Sequence, residues 1–265
     1  MVGANRTAGP LIPKCDSETS SFPPMLRKTE SGEPIEDLVE LYMNDVRKAD
    51  GRPWVLVNFI SSADGGTAIA GKSSSLGDPD DKAVFQALRA VPDVILVGSG
   101  TVEAENYQPV ALDEQRREKR VAAGLTEVPV LAIVSGRLSF DAEARVFSDP
   151  EHRPMVITGP NADPVKLAML GDSADVVILE DVTPRAILAR LSAAKVILCE
   201  GGPTLVGQFV AEHLVDELDL TIAPIMIGGR SARIAHGESA EPPLEMRLDR
   251  QLIGDRSMFM RYLRA

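Results

Sequence analysis

Three short segments hold the residues best able to do chemistry. Ser61-Ser62-Ala63-Asp64-Gly65-Gly66 follows the apolar run Trp54–Ile60, and Gly98-Ser99-Gly100-Thr101-Val102 follows Val94–Val97. Glu200-Gly201-Gly202-Pro203-Thr204-Leu205 follows Val196–Cys199 and opens a helical stretch. Glycine removes Cβ, so the backbone can approach a ligand closely with its N–H groups free. A helix that starts just after such glycines turns its positive end toward the same space, which suits a phosphate. No complete G-x-G-x-x-G occurs, and no segment has the lysine of G-x-x-x-x-G-K-[ST]. The chain is therefore neither a standard dinucleotide fingerprint nor a P-loop. Glu-Gly-Gly-Pro-Thr is the most informative of the three. A charged residue ending an apolar strand, then two glycines and a proline at a helix start, is hard to explain by packing alone.

Other chemistries find less support. Cys15 and Cys199 are the only thiols, and His152, His213 and His236 are widely scattered, so no metal site of the usual zinc spacing is expected. No G-x-S-x-G elbow marks a hydrolase nucleophile. The acidic group Asp78-Pro79-Asp80-Asp81 is read as a complement to a helix dipole, and the run Asp113–Arg120 as a solvated helix face. A net charge of −11 gives no footprint for a nucleic acid. No apolar run nears the roughly 20 residues of a membrane span, and Met1–Pro24 has no apolar segment of a secretory signal, so a cytoplasmic protein is expected. With neither a metal cluster nor a nucleophile, redox chemistry on a bound organic cofactor leads.

The elements that must position these turns are legible as an alternation. Apolar runs at 54–60, 94–97, 130–134, 155–158, 176–179 and 196–199 alternate with helical stretches at 80–91, 112–123, 164–170, 184–194 and 204–214. Asp78 and Thr183 are expected to cap two of the helices. This pattern predicts an α/β fold with a mostly parallel central sheet and flanking helices. Glu217–Ala223 and Met258–Leu263 alternate like half-buried strands and predict an antiparallel C-terminal part. Ahead of the 52–265 domain, residues 1–51 divide into a Gly/Pro/Ser-rich arm, 1–33, and an amphipathic helix over Pro34–Ala49. That helix carries Ile35, Leu38, Val39, Tyr42 and Val46 on one face, Glu36 and Asp37 in its first turn, and Arg47 and Lys48 in its last.

Read as an ordered set, five segments resemble a known family. They are Arg52–Asn58, Ser61–Gly65, Arg89–Thr101, Glu200–Leu205 and Val215–Gly229, the last reading VDELDLTIAPIMIGG. The chain from about 52 to 263 is similar to the reductase domain of bacterial riboflavin biosynthesis. The resemblance implies a dihydrofolate reductase-like fold and a homodimer. It also implies an NADPH-dependent reduction of the ribosyl side chain of 5-amino-6-(5-phosphoribosylamino)uracil. The zinc signature of the deaminase often fused to that domain is absent from these residues, so the resemblance is to a stand-alone reductase. Two departures stand out: Asn58 where the family commonly has lysine, and Glu105-Asn106-Tyr107-Gln108 in place of an Asp-Asp pair before Pro109. These keep open a same-fold reductase of dihydrofolate or another pteridine, and a non-catalytic NADPH-binding protein.

By the resemblance, Gly98, Ser99, Gly100 and Thr101, with Gly201, Gly202, Pro203, Thr204 and Leu205, cradle the NADPH. Ser135 and Arg137, just past the 130–134 strand, are expected at its 2′-phosphate, because arginine offers a planar fork to phosphate oxygens. Asn58, Ser62, Asp64 and Asn106 are expected to face the substrate, and Glu200 to orient substrate or nicotinamide. A carboxyl beside a dry pocket can be held protonated by desolvation. Asp64 is therefore the expected proton donor and, with Glu200, the expected catalytic pair.

Overall fold

The computed structural model describes residues 27–28, 32–48 and 51–265. Most of the arm expected over 1–33 lies outside these residues. Within it, Arg27–Lys28 (β1) pairs with the C-terminal part of the sheet. The mostly parallel α/β architecture expected from the alternation is present. Strands β2 (Trp54–Ser62), β3 (Val94–Gly98), β4 (Val130–Val134), β5 (Met155–Thr158), β6 (Asp175–Ile178), β7 (Val196–Cys199) and β8 (Glu217–Ala223) run parallel in the order β8-β2-β7-β3-β4-β5-β6. Beyond β8 the antiparallel strands β10 (Met258–Arg264) and β9 (Met246–Ile253) extend the sheet, with β1 at its edge.

Central strands are apolar without interruption because both of their faces are covered. Leu56, Ile95, Val97, Ile133 and Leu198 point to one side, where Val84 and Leu88 of α2 (Pro79–Leu88) meet them. Val55, Val57, Leu96, Ile197 and Cys199 point to the other, against Ile187 of α6 (Pro184–Arg190) and Phe209 of α7 (Pro203–Ala211). Asp78 and Thr183 cap α2 and α6 as expected, accepting from the backbone N–H groups of Asp81 and Ala186. Among the remaining helices, α3 (Ser99–Ala104) follows β3, α4 (Glu114–Ala122) precedes β4 and α5 (Pro164–Leu170) follows β5. No helix of the described residues is long and apolar enough to cross a membrane.

Two expectations are corrected, and one strand is added. The helix expected over 34–49 is only Leu38–Met43 (α1); Asp37 caps it instead of lying inside its first turn, accepting from Glu40 N at 2.9 Å. The chain then breaks away because Arg47 is drawn to Glu217, donating from Nε and Nη2 at 2.8 Å each. The 113–120 run is not wholly a solvated face: Arg120 is fully buried and donates to the carbonyls of Ala90, Pro92 and Thr126. Strand β9 escapes the alternation rule because its charged residues fall on both phases, and its pairing with β10 slips between Arg261 and Tyr262.

Glu217 joins the parallel and antiparallel halves. Besides Arg47, it accepts from Trp54 Nε1 at 2.8 Å and Arg261 Nε at 2.7 Å. Burial alone would raise this carboxyl; the Arg47 and Arg261 guanidinia reverse that and hold it at about 2. Two residues on, Asp219 is also buried, and burial beside the Glu217 charge pushes its carboxyl well up. Arg52 clasps Asp216 through both of its terminal nitrogens at 2.6 and 2.7 Å. The Arg-Pro-Trp and Val-Asp-Glu motifs are thus the joint between β2 and β8.

Candidate active site

The carboxyl ends of β2, β3 and β7 open into a cleft of about 1030 Å³. In open α/β sheets this is where ligands bind. Two of the three glycine segments meet here. Gly98 N donates to Gly201 O at 2.6 Å, and Glu200 N to Leu96 O at 2.9 Å. A Cβ on Gly202 would sit 2.8 Å from Thr101 Oγ1. Gly201 has φ +92°, and a Cβ there would lie 2.7 Å from Phe59 Cζ, so no larger residue fits. Gly202 is the N-cap of α7 and brings no side chain to the cap. Pro203 occupies the first helical position, where its missing N–H costs nothing. The first-turn N–H groups of α7 are therefore left for another acceptor, as an anion site requires.

Gly98, Ser99, Gly100, Thr101, Gly202, Pro203, Thr204 and Leu205 all line the cleft, while Gly201 shapes the turn from behind. The segment Gly98–Val102, expected as a glycine loop after Val94–Val97, instead continues β3 to Gly98 and opens the short helix α3. Ser135 lines the same cleft with Gly136 and Ser139; its hydroxyl accepts from Ser139 N at 3.0 Å. Arg137 is exposed on that loop and does not line the cleft itself. Asn58 lies on the cleft floor, its Nδ2 donating to Asp219 O at 3.2 Å, and Asn106 lines the wall.

The third glycine segment turns elsewhere, and neither Ser62 nor Asp64, expected to face the substrate, lines the cleft. Ser62 is buried; its hydroxyl donates to Asp64 Oδ1 at 2.5 Å and accepts from Gly66 N at 2.9 Å. The Asp64 carboxylate in turn accepts from the backbone N–H of Ile227 at 3.2 Å and of Gly228 at 2.7 Å. A Cβ on Gly66 would lie 2.4 Å from Ile227 Cδ1. Ser-x-Asp-Gly and Ala-Pro-x-x-x-Gly-Gly are thus two halves of one clamp. Asp64 is exposed and outside the cleft lining. The Ser62 hydroxyl and the two backbone donors hold its carboxyl at about 2.

Glu200 does face the cleft, but it is locked. Its carboxylate accepts from Arg89 Nε at 2.7 Å and Nη2 at 2.8 Å, and from the Tyr107 hydroxyl. Burial alone would lower Arg89; the Glu200 charge overrides this and raises it above its ordinary value. Burial, with that same charge, keeps the Tyr107 hydroxyl protonated. Glu200 therefore works as a fixed anchor of the wall. Neither Arg89 nor Tyr107 is evident as a partner from local sequence, since they lie 111 and 93 residues from Glu200.

Asp81 was also missed. Of the three acids at the start of α2, Asp80 accepts from Asp255 N at 2.6 Å, while Asp78 and Asp81 both line the cleft and Asp78 also caps the helix. Lys82 lies beside it on the rim, and Phe85 and Arg89 follow at helical spacing.

The comparisons with known proteins agree with this geometry. The model of the family described as RibD C-terminal domain matches residues 53–252. A 2,5-diamino-6-ribosylamino-4(3H)-pyrimidinone 5′-phosphate reductase from Archaeoglobus fulgidus is 33% identical over 194 residues, covering 71% of this chain and 88% of that protein. One of the same name from Methanothermobacter thermautotrophicus is 32% identical, covering 72% and 87%. The solved structure of a pyrimidine reductase-like protein from Corynebacterium diphtheriae superposes with a TM-score of 0.73 at 28% identity, covering 80% of this chain and 92% of that one. Its two converging glycine turns, the clamp behind them and the match over most of its length place this chain in the RibD C-terminal domain family.

Proposed function

We propose that the chain is an NADPH-dependent reductase of the riboflavin pathway. Its substrate is a 6-(5-phosphoribosylamino)pyrimidine, and it converts the ribosyl side chain to ribityl. The observation that carries this reading is the meeting of the Gly98–Thr101 and Gly201–Leu205 turns on one wall of the cleft. The uncapped N-terminus of α7 fits a pyrophosphate, and the bare Gly202 lets it approach. When bound, NADPH supplies a hydride; the acceptor is C1′ of the open-chain imine, whose nitrogen takes one proton as the C=N bond becomes C–N.

The chain's own residues then hold and orient. Thr101, Thr204 and Leu205 cradle the pyrophosphate, and Ser135 and Arg137 meet the 2′-phosphate. Arg89, Glu200 and Tyr107 stiffen the wall between cofactor and substrate. Asn58 faces the substrate in place of the family's common lysine, and Lys82 on the rim supplies the cation for the substrate phosphate. Loss of NADPH absorbance on adding the phosphoribosylaminopyrimidine supports the reading. Oxidation with dihydrofolate alone, or binding without oxidation of either, overturns it.

We further propose that the chain acts as a homodimer. Along β8, β10 and β9 one sheet face carries charge and is largely buried, while the opposite face is open and mostly apolar, with Gln251 among its residues. The open face holds Leu220 and Ile222 of β8, Met258 and Met260 of β10, and Leu248 and Ile253 of β9. Leu248, Ile253 and Met258 are 52, 44 and 37% exposed. Contiguous apolar patches of this kind mark association sites, and a two-fold axis lets the same patch meet itself. Light scattering should give twice the 28.4 kDa of one chain, and Leu248→Glu should return it to one. A wild-type monomer would contradict this.

A further inference from the structure

Asp81 is the one carboxylate of the cleft that the preceding account leaves without a role. Glu200 is saturated by Arg89 and Tyr107, and Glu105 accepts from Ser73 N at 2.7 Å and Ser73 Oγ at 2.8 Å. Asp78 is spent on the α2 cap and on the Ser257 hydroxyl. Asp81 has one side-chain hydroxyl, that of Thr221, and no such set of partners. It is half-buried on the cleft-facing side of α2, with the Thr221 hydroxyl of β8 beside it and Asp78 as the nearest charge. Burial raises its carboxyl, the Thr221 hydroxyl pulls the other way, and Asp78 adds to the rise. No cation offsets it. Such a group is incomplete until N–H donors face it.

The surroundings say which donors fit. Phe85, one turn along the same helix face, offers aromatic surface beside Asp81, and the Asn58 amide lies on the cleft floor. A flat heterocycle presenting two parallel N–H groups matches a carboxylate as a guanidinium fork does. A pyrimidin-4(3H)-one with an amino group at C2 has that edge: the amino N–H and the ring N3–H. A uracil presents C2=O beside N3–H, so one carboxylate oxygen would face another oxygen.

We propose that Asp81 is a specificity-determining residue that accepts both hydrogen bonds of a 2-aminopyrimidinone ring and so selects the amino ring over the uracil. This rests on the reductase reading above and deepens it. It places the chain's reaction before the hydrolytic deamination at C2, so the step that consumes its product is a deamination.

The test compares kcat/KM for the two phosphoribosylamino substrates, 2,5-diaminopyrimidinone and 5-aminouracil, in the wild type and in Asp81→Asn. Calorimetric titration of the two ribityl products provides a readout independent of turnover. The wild type should favour the diamino ring by about 100-fold. Asp81→Asn offers C2=O a donor, so it should lose most of that preference, through KM and product affinity more than kcat. Unchanged melting behaviour shows that the variant is folded; should it not fold, Thr221→Val, which disturbs only the carboxylate's neighbour, should narrow the preference in the same direction. Equal wild-type turnover of the two rings, or an equal loss for both in the variant, overturns the proposal and leaves the reductase reading standing. No NADPH oxidation with either ring overturns both.

Discussion

At the scale of single residues, the site separates groups that hold from groups that meet ligand. Asp64 is the clearest case. Its local sequence suits a proton donor, yet Ser62, Ile227 and Gly228 use up its carboxylate and hold it near 2. General acid catalysis is worth about 10²–10⁴-fold in turnover. Asp64→Asn should therefore lower kcat by less than about tenfold, because an amide oxygen still accepts from the loop; a fall within the general-acid range would return Asp64 to the chemistry. Glu200 teaches the same lesson from inside the cleft. Its strand-end position before two glycines is legible in the sequence, but its partners are not, because the fold brings Arg89 and Tyr107 to it from a helix end and a distant turn.

At the scale of elements, strands β4, β5, β7 and β8 and helix α5 match their expected limits because apolar runs bounded by Pro, Gly and acidic caps leave little freedom. What escaped had competing signals. Helix α1 is cut short by the pull of Glu217 on Arg47, a contact across 170 residues. Strand β9 carries charge on both phases. Asp78, Asp80 and Asp81 share a simple dipole reading in the sequence, yet one caps, one fastens a turn and one faces ligand space. Element packing also decides a substitution that propensity alone gets wrong. In the middle of α7, Gly207→Ala would gain up to about 1 kcal/mol from helix propensity. But its Cβ would lie 2.1 Å from the backbone oxygen of His236. Overpacking against backbone costs about 1–3 kcal/mol, so this variant should melt earlier than the wild type. A higher melting temperature would show that the 235–237 loop yields freely.

For the whole molecule, a cluster of buried charge joins the parallel and antiparallel halves of the sheet. Glu217 is favoured as a carboxylate by two arginines, while Asp219 is not: its Oδ2 is buried without a hydrogen-bond partner and its carboxyl is raised. A carboxyl whose folded value lies above the unfolded one, about 4, stabilises the fold relative to its ionised form only at low pH. That advantage is lost as pH rises through the folded value. Asp219→Asn should therefore raise the melting temperature more at pH 8 than at pH 3, where the wild-type residue is mostly protonated in both states. A gain confined to acid pH, or a loss at pH 8, would show that the surrounding arginines need this charge.

The account rests most heavily on one wall of the cleft, where two glycine turns from β3 and β7 meet at hydrogen-bond distance. Calorimetric titration of NADPH into the wild type and into Gly202→Val tests that wall directly. The account predicts saturable binding of one NADPH per chain, abolished when a side chain grows from Gly202 toward Thr101. Failure of the wild type to bind, or equal affinity in the variant, would contradict it.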